Sequence, residues 1–348
     1  MAAFETLSEL PETCSFAQFG KIAGVNSVKL KRPNTMLPAK LFQPSHLITT
    51  GEEVEKIVVP KFRDTFEQGG EFLIAGFDNH LIFKASEILV DFAFEKVKSV
   101  KCDFVKVGAE TEIVADVLKN RNFETALKVR QHPIEGFFVE NLTQRIFQTS
   151  ETCKKAIRLA QGNLGPGNFL SGGKSKTEPH SHSLLTITVD HGDVFKRRAK
   201  FHFLNLTTAR AKNDKTLRAI NKIIEILSNE KIFEISDRPV AGWRDAKITR
   251  LCAGGLGAGG RGLWLLKFPG SDFNEALGMC EFSKKVESCK IACSYVDPFV
   301  YRRNPKDRKI IQQLRDAVRF PINRDDDSVI DAERRIAVWD HFNGTITN

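Results

Sequence analysis

The chain has 348 residues, a net charge of +9 and a hydrophobic content of 41%, which suffices for one large core or two modest ones. No apolar run reaches the roughly 20 residues that a membrane-spanning helix needs, and the N-terminus has no signal-peptide pattern, so the sequence predicts an intracellular globular protein. The seven cysteines form no CxxC pair, which argues against a disulfide framework or a zinc site. The positive charge predicts attraction to nucleic acid, an anionic membrane or an acidic protein surface, although it also serves solubility alone.

Short β-rich runs alternate with amphipathic helical stretches along the chain, which is typical of a sheet covered by helices. The predicted strands are Glu71–Gly76, Lys101–Val107, Leu184–Val189, Ala199–Leu206 and Gly262–Phe268. The predicted helices are Glu53–Glu67, Ser150–Gln161, Asp214–Asn229 and Asn274–Lys290. Each helix has apolar residues three and four apart, so each should pack one face against the sheet.

The last part of the sequence has a different character. Pro305 favours a helix start, Pro321 ends the apolar pattern that follows, and a second helical pattern runs through Trp339. We therefore predict a helical extension over residues 292–348 that packs on the main domain or presents a surface to a partner.

Three local patterns have catalytic interpretations that lack the required context. Asn168–Ser175 ends like a Walker A loop, but it has no first glycine and precedes a strand rather than a helix. Gly255–Gly260 matches GxGxxG but precedes the apolar strand instead of following one. His180 and His182 have no further ligand at a supporting spacing. We predict no metal site and no catalytic residue from these patterns.

An ordered series of segments nevertheless resembles the motor domain of kinesins. Ser181–Ile187 is similar to the SHSxFTI run of switch I, and Ile220–Lys222 to the INK of the helix that sits on tubulin. Trp243–Leu251 is similar to YRDSKLTRLL, Leu263–Ser271 to the strand that follows, and Phe273–Ser288 to the last motor helix. The shared order is more specific than any one segment.

The resemblance covers roughly residues 20 to 290, with some similarity to depolymerising kinesins in Phe66–Gly76. It implies an α/β fold related to P-loop NTPases, in which helices flank both faces of a central mixed β-sheet. It also implies three regions: an N-terminal tail over residues 1–20, a motor-like domain over 21–291, and the helical extension over 292–348.

The residues that differ from the family are those that phosphoryl transfer needs, namely a glycine-rich cradle, a lysine and a hydroxyl. In the stretch aligned with the P-loop only Gly76 matches, while Ile82 and Phe83 stand at the lysine and threonine positions and Lys84 follows them. The missing glycines would place side chains where phosphate approaches backbone amides.

Both switch segments depart from the family pattern as well. Switch I keeps Ser181, His182 and Ser183, but Glu178-Pro179-His180 replaces Ser-Ser-Arg. In switch II, Asn205 stands for aspartate, Thr208 for the hinge glycine and Arg210 for glutamate. The resemblance therefore implies a degenerate site that needs no cofactor, although the family ligand would be Mg-ATP.

Tubulin binding needs a basic face rather than a phosphate cradle. The resemblance places that face on the helix Asp214–Asn229, the following loop and the next helix. The cations in it are Lys212, Lys215, Arg218, Lys222, Arg244, Lys247 and Arg250. A solvated helix face explains the spacing of Arg218 and Lys222 equally well.

Three hypotheses follow from the sequence. The first is a catalytically silent, cytoplasmic protein that binds microtubules or pairs with an active kinesin or an adaptor through its C-terminal helices. The second is a divergent but active microtubule-dependent ATPase. The third is a kinesin-fold scaffold for protein interactions without tubulin contact. Membrane and nucleic-acid partners are not expected.

Overall fold

The computed structural model describes residues 4–9, 17–22, 25–33, 39–48, 53–119, 126–132, 136–162, 164, 181–190, 198–207, 213–228, 244–256, 261–268 and 272–289. The predicted extension over 292–348 lies outside these residues. The strands are β1 Phe4–Glu9, β2 Ala17–Ile22, β3 Val25–Leu30, β4 Lys40–Phe42, β5 His46–Ile48, β6 Gly70–Gly76, β7 Val100–Gly108, β8 Val114–Asp116, β9 Val129–His132, β10 Gly136–Val139, β11 Arg145–Phe147, β12 Ser181–Asp190, β13 Arg198–Asn205 and β14 Arg261–Lys267. The helices are α1 Glu53–Gln68, α2 Asn79–Phe94, α3 Ser150–Gly162, α4 Lys215–Ser228, α5 Lys247–Leu251, α6 Ala253–Leu256 and α7 Phe273–Glu287. In these parts of the chain, no helix is long and apolar enough to cross a bilayer.

A mixed sheet forms the centre of the described structure. Its strand order is β11-β7-β12-β13-β6-β14-β1-β5, with β8 paired to β7. The strands β13, β6, β14, β1 and β5 run parallel, whereas β12 is antiparallel to both of its neighbours. The parallel strands end at the same edge of the sheet, which is where ligands bind in folds of this class.

Helices cover both faces of this sheet, as parallel strands require. On one face α1, α2 and α3 enclose a core in which the Phe62 ring makes edge contacts with Phe72, Phe201 and Phe203 at centroid distances of 5.6–6.4 Å. On the other face α4, α5, α6 and α7 enclose a second core that contains Trp264. The predicted fold class is therefore confirmed for the main domain.

A small separate sheet, in the order β2-β3-β4, packs beside α7. Val28 and Leu30 of β3 are buried against Ala276 and Cys280 of α7. Side chains alternate between the two faces of a strand, so one face of this sheet is committed to packing and the other is turned away from the core.

Two segments differ from the sequence-based expectation. The sequence predicted a tail over residues 1–20, whereas Phe4–Glu9 pairs with β14 and β5 within the central sheet. No helix was predicted at Asn79–Phe94. Apolar residues lie on most sides of this helix, so it has no polar face from which the helical period could be recognised. The other predicted helices and strands form within a few residues of their expected bounds.

Polar side chains form a row across the second face of the sheet. The Thr186 hydroxyl lies 3.3 Å from Nδ1 of His202, and Nε2 of His202 lies 3.2 Å from a carboxylate oxygen of Glu71. Burial alone would raise the pKa of Glu71, but the hydrogen bond with His202 leaves it below its ordinary value. Asp103 lies next to Thr186 in register, and burial raises the pKa of Asp103 to about 6.

The Asp103 carboxylate is therefore predicted to cost stability at neutral pH. Its folded-state pKa of about 6 exceeds the ordinary 3.8, so stability is lost as the pH rises through this window. Asp103→Asn should raise Tm by about 2 °C or more at pH 7.5, and the gain should shrink towards pH 4. Thermal unfolding monitored by circular dichroism measures this. Asp64→Asn, at an exposed position of α1, is the control, and a lower Tm for Asp103→Asn than for this control would contradict the prediction.

Candidate functional site

The sheet brings the predicted nucleotide-site positions of three strands together. Gly76 at the end of β6 pairs with Asn205 at the end of β13, and Asn205 pairs with Ser183 near the start of β12. Asn205 and Ser183 are both buried. The amide of Leu206 donates a hydrogen bond to the Gly76 carbonyl at 2.8 Å. Gly76, Asn205 and the segment Ser181–Ser183 thus meet at one edge of the sheet.

A short link joins this edge to α2. Only Phe77 and Asp78 separate the last residue of β6 from the first residue of α2. Asp78 is the N-cap, and its carboxylate accepts a hydrogen bond from the amide of Leu81 at 2.9 Å. The helix N-terminus, where a P-loop would present amides to phosphate, carries a carboxylate of the chain itself.

Further acidic charge lies beside this cap. The Lys267 ammonium at the end of β14 is 3.7 Å from the Asp78 carboxylate and 3.8 Å from that of Glu9 at the end of β1. One cation therefore faces two carboxylates at the edge of the sheet. This arrangement disfavours a further anion there.

The residues aligned with the P-loop have packing roles. A Cβ atom on Gly76 would lie 2.3 Å from the Leu265 carbonyl oxygen, so the close approach of β6 and β14 requires glycine here. Ile82 and Phe83 are buried in the first core, while Lys84 is half-buried. The side chains of Ile82 and Phe83 thus pack in the interface between α2 and the sheet.

His182 has a role that the sequence did not reveal. Its ring is fully buried, Nδ1 accepts a hydrogen bond from the Thr207 amide at 3.2 Å, and Nε2 lies 3.1 and 3.0 Å from the two oxygens of Asp214. These contacts fix the tautomer with the proton on Nε2. Asp214 also accepts from the Leu217 amide at 2.8 Å and so caps α4. The start of β12, the end of β13 and the start of α4 are joined through this one ring.

Most of the predicted tubulin-binding cations lie on α4 and α5, which pack together. Glu112 holds this pair: its carboxylate accepts from the Lys247 amide at 2.8 Å and lies 3.4 Å from the Lys215 ammonium. The Lys247 ammonium donates in turn to the Glu112 carbonyl at 2.8 Å. Glu112 has a φ of 54°, a costly conformation for a non-glycine residue, so these contacts must hold its turn in place.

The remaining cations of this face also have intramolecular contacts. Lys222 pairs with Asp245 at 2.8 Å, and both side chains are about half exposed. Arg250 donates to the Arg244 carbonyl at 2.9 Å, and Arg218 to the Asp214 carbonyl at 3.3 Å. Lys215, Arg218 and Lys222 are exposed, whereas Arg244, Lys247 and Arg250 are half-buried.

Several predicted positions lie outside the residues that the structure describes. These are Glu178, Pro179, His180, Thr208, Arg210 and Lys212. The signals for the contacts that sequence reasoning missed are weak: Asp78 and Asp214 each precede a helix, as N-cap residues do, but nothing local pairs Asp214 with His182.

The helix cap offers a direct test of this geometry. Asp78→Ala should lower the free energy of unfolding by about 1 kcal/mol, because the Leu81 amide loses its acceptor. Asp78→Asn keeps an oxygen acceptor and should lose much less. Denaturant unfolding of the three proteins measures the difference, and equal losses in both variants would show that the cap contributes nothing.

Comparison with known proteins gives both a sequence relative and structural neighbours. No protein-family model matches the chain. It is 27% identical over 228 residues to kinesin-related protein 5 of Dictyostelium discoideum, an alignment that covers 61% of this chain. The chain spans only 22% of the length of that relative.

Solved kinesin motor domains share the fold. The motor domain of the Kar3-like kinesin from Ashbya gossypii matches with a TM-score of 0.61 at 13% identity, over 81% of this chain and 99% of that one. The motor domain of Kar3 from Saccharomyces cerevisiae gives 0.62 at 15% identity, over 81% and 99%. The C-terminal motor and motor homology domain of Kar3Vik1, fused to a synthetic heterodimeric coiled coil, gives 0.64 at 14% identity, over 82% and 85%. The chain is thus similar in sequence to a kinesin-related protein and has the fold of solved kinesin motor domains, which it resembles as a divergent example.

Proposed function

We propose that this chain is a microtubule-binding kinesin-like domain that does not hydrolyse ATP. It would act as a non-motile microtubule-associated domain or as the partner of an active motor. The observation that carries the proposal is the Asp78 carboxylate, which caps α2 directly after a two-residue link from β6.

The first argument concerns phosphate. A P-loop needs several backbone amides, a lysine and a hydroxyl around the β- and γ-phosphates. Here Asp78 takes one amide of the helix N-terminus, and Ile82 and Phe83 put apolar side chains into the core at the lysine and threonine positions. These residues do not fit Mg-ATP. Losing one preorganised contact of this kind costs roughly 3–4 kcal/mol of transition-state stabilisation, and several are missing.

The second argument concerns the basic face, defined as the exposed side of α4 and α5. Glu112 pairs with Lys215, Asp245 pairs with Lys222, and the Asp214 carbonyl accepts a hydrogen bond from Arg218. The His182 ring ties α4 to the sheet. A preorganised set of exposed cations suits an acidic partner such as tubulin, because less side-chain entropy is lost on binding. Kinesin ancestry supports tubulin as that partner and a cytoplasmic, microtubule-associated location.

The partner motor is suggested by one structural neighbour. The Kar3Vik1 structure contains a motor and a motor homology domain fused to a synthetic heterodimeric coiled coil. A pairing of that kind would give this chain a motor partner. The predicted helices of residues 292–348 are the segment we propose for the contact with a kinesin or an adaptor.

Microtubule cosedimentation tests the basic face. Lys215→Ala, Arg218→Ala and Lys222→Ala, combined, remove exposed cations and leave the internal contacts of Lys247 and Arg250 intact. Binding at low salt should weaken about tenfold, since each exposed ion pair contributes about 0.2–1 kcal/mol. Lys56→Ala, Lys96→Ala and Lys98→Ala, at exposed positions elsewhere, form the matched control. Equal pelleting of the two triple variants would place tubulin on another face, and no pelleting of the native chain would refute tubulin binding.

Nucleotide addition tests the silent site. Mg-ATP at millimolar concentration should leave Tm unchanged, because a ligand stabilises a protein only when it binds the folded state. Differential scanning fluorimetry with sulfate at equal ionic strength as control measures this. A clear stabilisation by ATP, or its release of the domain from microtubules, would favour the active ATPase instead.

A further inference from the structure

The N-terminal part of the chain contains a long stretch without acidic residues. Between Thr13 and Gly51 there is no aspartate or glutamate, although the whole chain has 43. The cations in this stretch are Lys21, Lys29, Lys31, Arg32 and Lys40. All of them belong to or flank the small sheet β2-β3-β4. This sheet therefore has a uniformly positive composition.

The fold turns part of this charge outward. Val28 and Leu30 face the core beside α7, so the alternating positions Val25 and Lys29 lie on the outer face. Lys29 pairs in register with Leu41 of β4. Val25 and Leu41 are 48% and 50% exposed. The outer face thus combines exposed aliphatic groups with cations.

The cations of this face differ from those of α4 and α5 in their contacts. Lys29 and Lys31 are exposed, and no carboxylate in the described parts of the chain lies within ion-pair distance of them. Lys21 and Lys40 lie on the other face by strand register, where Lys40 pairs with Glu281 of α7 at 3.1 Å. On α4 and α5, Lys215 and Lys222 already have acidic partners. Lys29 and Lys31 can therefore meet a partner's charge without breaking an ion pair to a described residue.

We propose that the outer face of the small sheet, with Lys29, Lys31, Val25 and Leu41, binds an acidic polypeptide segment that also carries aliphatic side chains. The lysines would select acidic residues of the peptide by charge complementarity, and the two exposed aliphatic side chains would contact its aliphatic residues. This proposal does not depend on tubulin binding, because it uses none of the residues of α4 or α5.

The chemistry of the face favours a polypeptide over other polyanions. Single-stranded nucleic acid is held by aromatic platforms as well as by cations, but Phe42 of this sheet packs towards the core beside α7, and the large apolar side chains that the structure describes as exposed here are aliphatic. A membrane surface is bound by amphipathic helices with broad apolar faces, whereas the described side chains of this sheet expose two separate aliphatic groups.

Fluorescence anisotropy with a labelled peptide of alternating glutamate and valine tests the proposal on the full chain. The native protein should bind it at low salt and lose affinity as salt rises. Lys29→Glu and Lys31→Glu, combined, should weaken binding about tenfold, because like charges would now face the peptide. The control of equal net charge is Lys56→Glu with Lys96→Glu, which should bind like the native protein.

Three outcomes would overturn the proposal. The first is equal loss of peptide binding in both double variants, which would reflect net charge alone. The second is tighter binding of a single-stranded oligonucleotide or of phosphatidylserine vesicles than of the peptide. The third is retained peptide binding in the small-sheet variant when circular dichroism shows it folded. Microtubule pelleting of the same small-sheet variant should be unchanged, so failure here is distinguishable from failure of the proposed function.

Discussion

The strand β12 sets the main constraint on this structure, because eight consecutive residues from His182 to Val189 are buried. A strand with no access to water must pair along both edges, and each of its polar side chains needs a partner in the protein. The ladders with β7 and β13 meet the first requirement. Contacts of His182 with Asp214 and of Thr186 with His202 meet the second at these two positions. The hydrogen-bond partners that β12 needs therefore fix the polar row of the sheet and the start of α4.

The sequence predicted the fold to the extent that its elements were amphipathic. The helices α1 and α4 have clear polar faces and appear near their expected bounds, whereas α2 is apolar around most of its surface and was missed. Phe4–Glu9 was missed for a related reason: a short strand with two paired edges has no signal beyond six residues of mixed character. Its partner β14 lies more than 250 positions away along the chain, and local pattern does not identify such pairs.

The sequence predicted which residues lie near one another at the site, but it did not predict which side chains contact each other. Ordered motifs placed Gly76, Ser183 and Asn205 near one another, and the register of three strands brings them to one edge. The Asp78 cap is a local contact with Leu81, whereas the His182–Asp214 pair depends on tertiary packing across 32 positions. The same is true of Glu112, whose partners lie about 100 or more positions further along the chain. Residues of this kind couple separate elements, so their spacing in sequence carries little information.

For the filament-binding domain that we propose, the tie between the His182 ring and α4 has a kinetic consequence. A motor that steps must alternate between strong and weak attachment, which requires its contact helix to move between two arrangements of different free energy. A helix whose first turn is bonded to a buried ring of the central sheet would present a single arrangement. The residence time on a filament would then be set by one dissociation rate, tuned by ionic strength rather than by a chemical cycle. Such a domain would suit a tether or a brake.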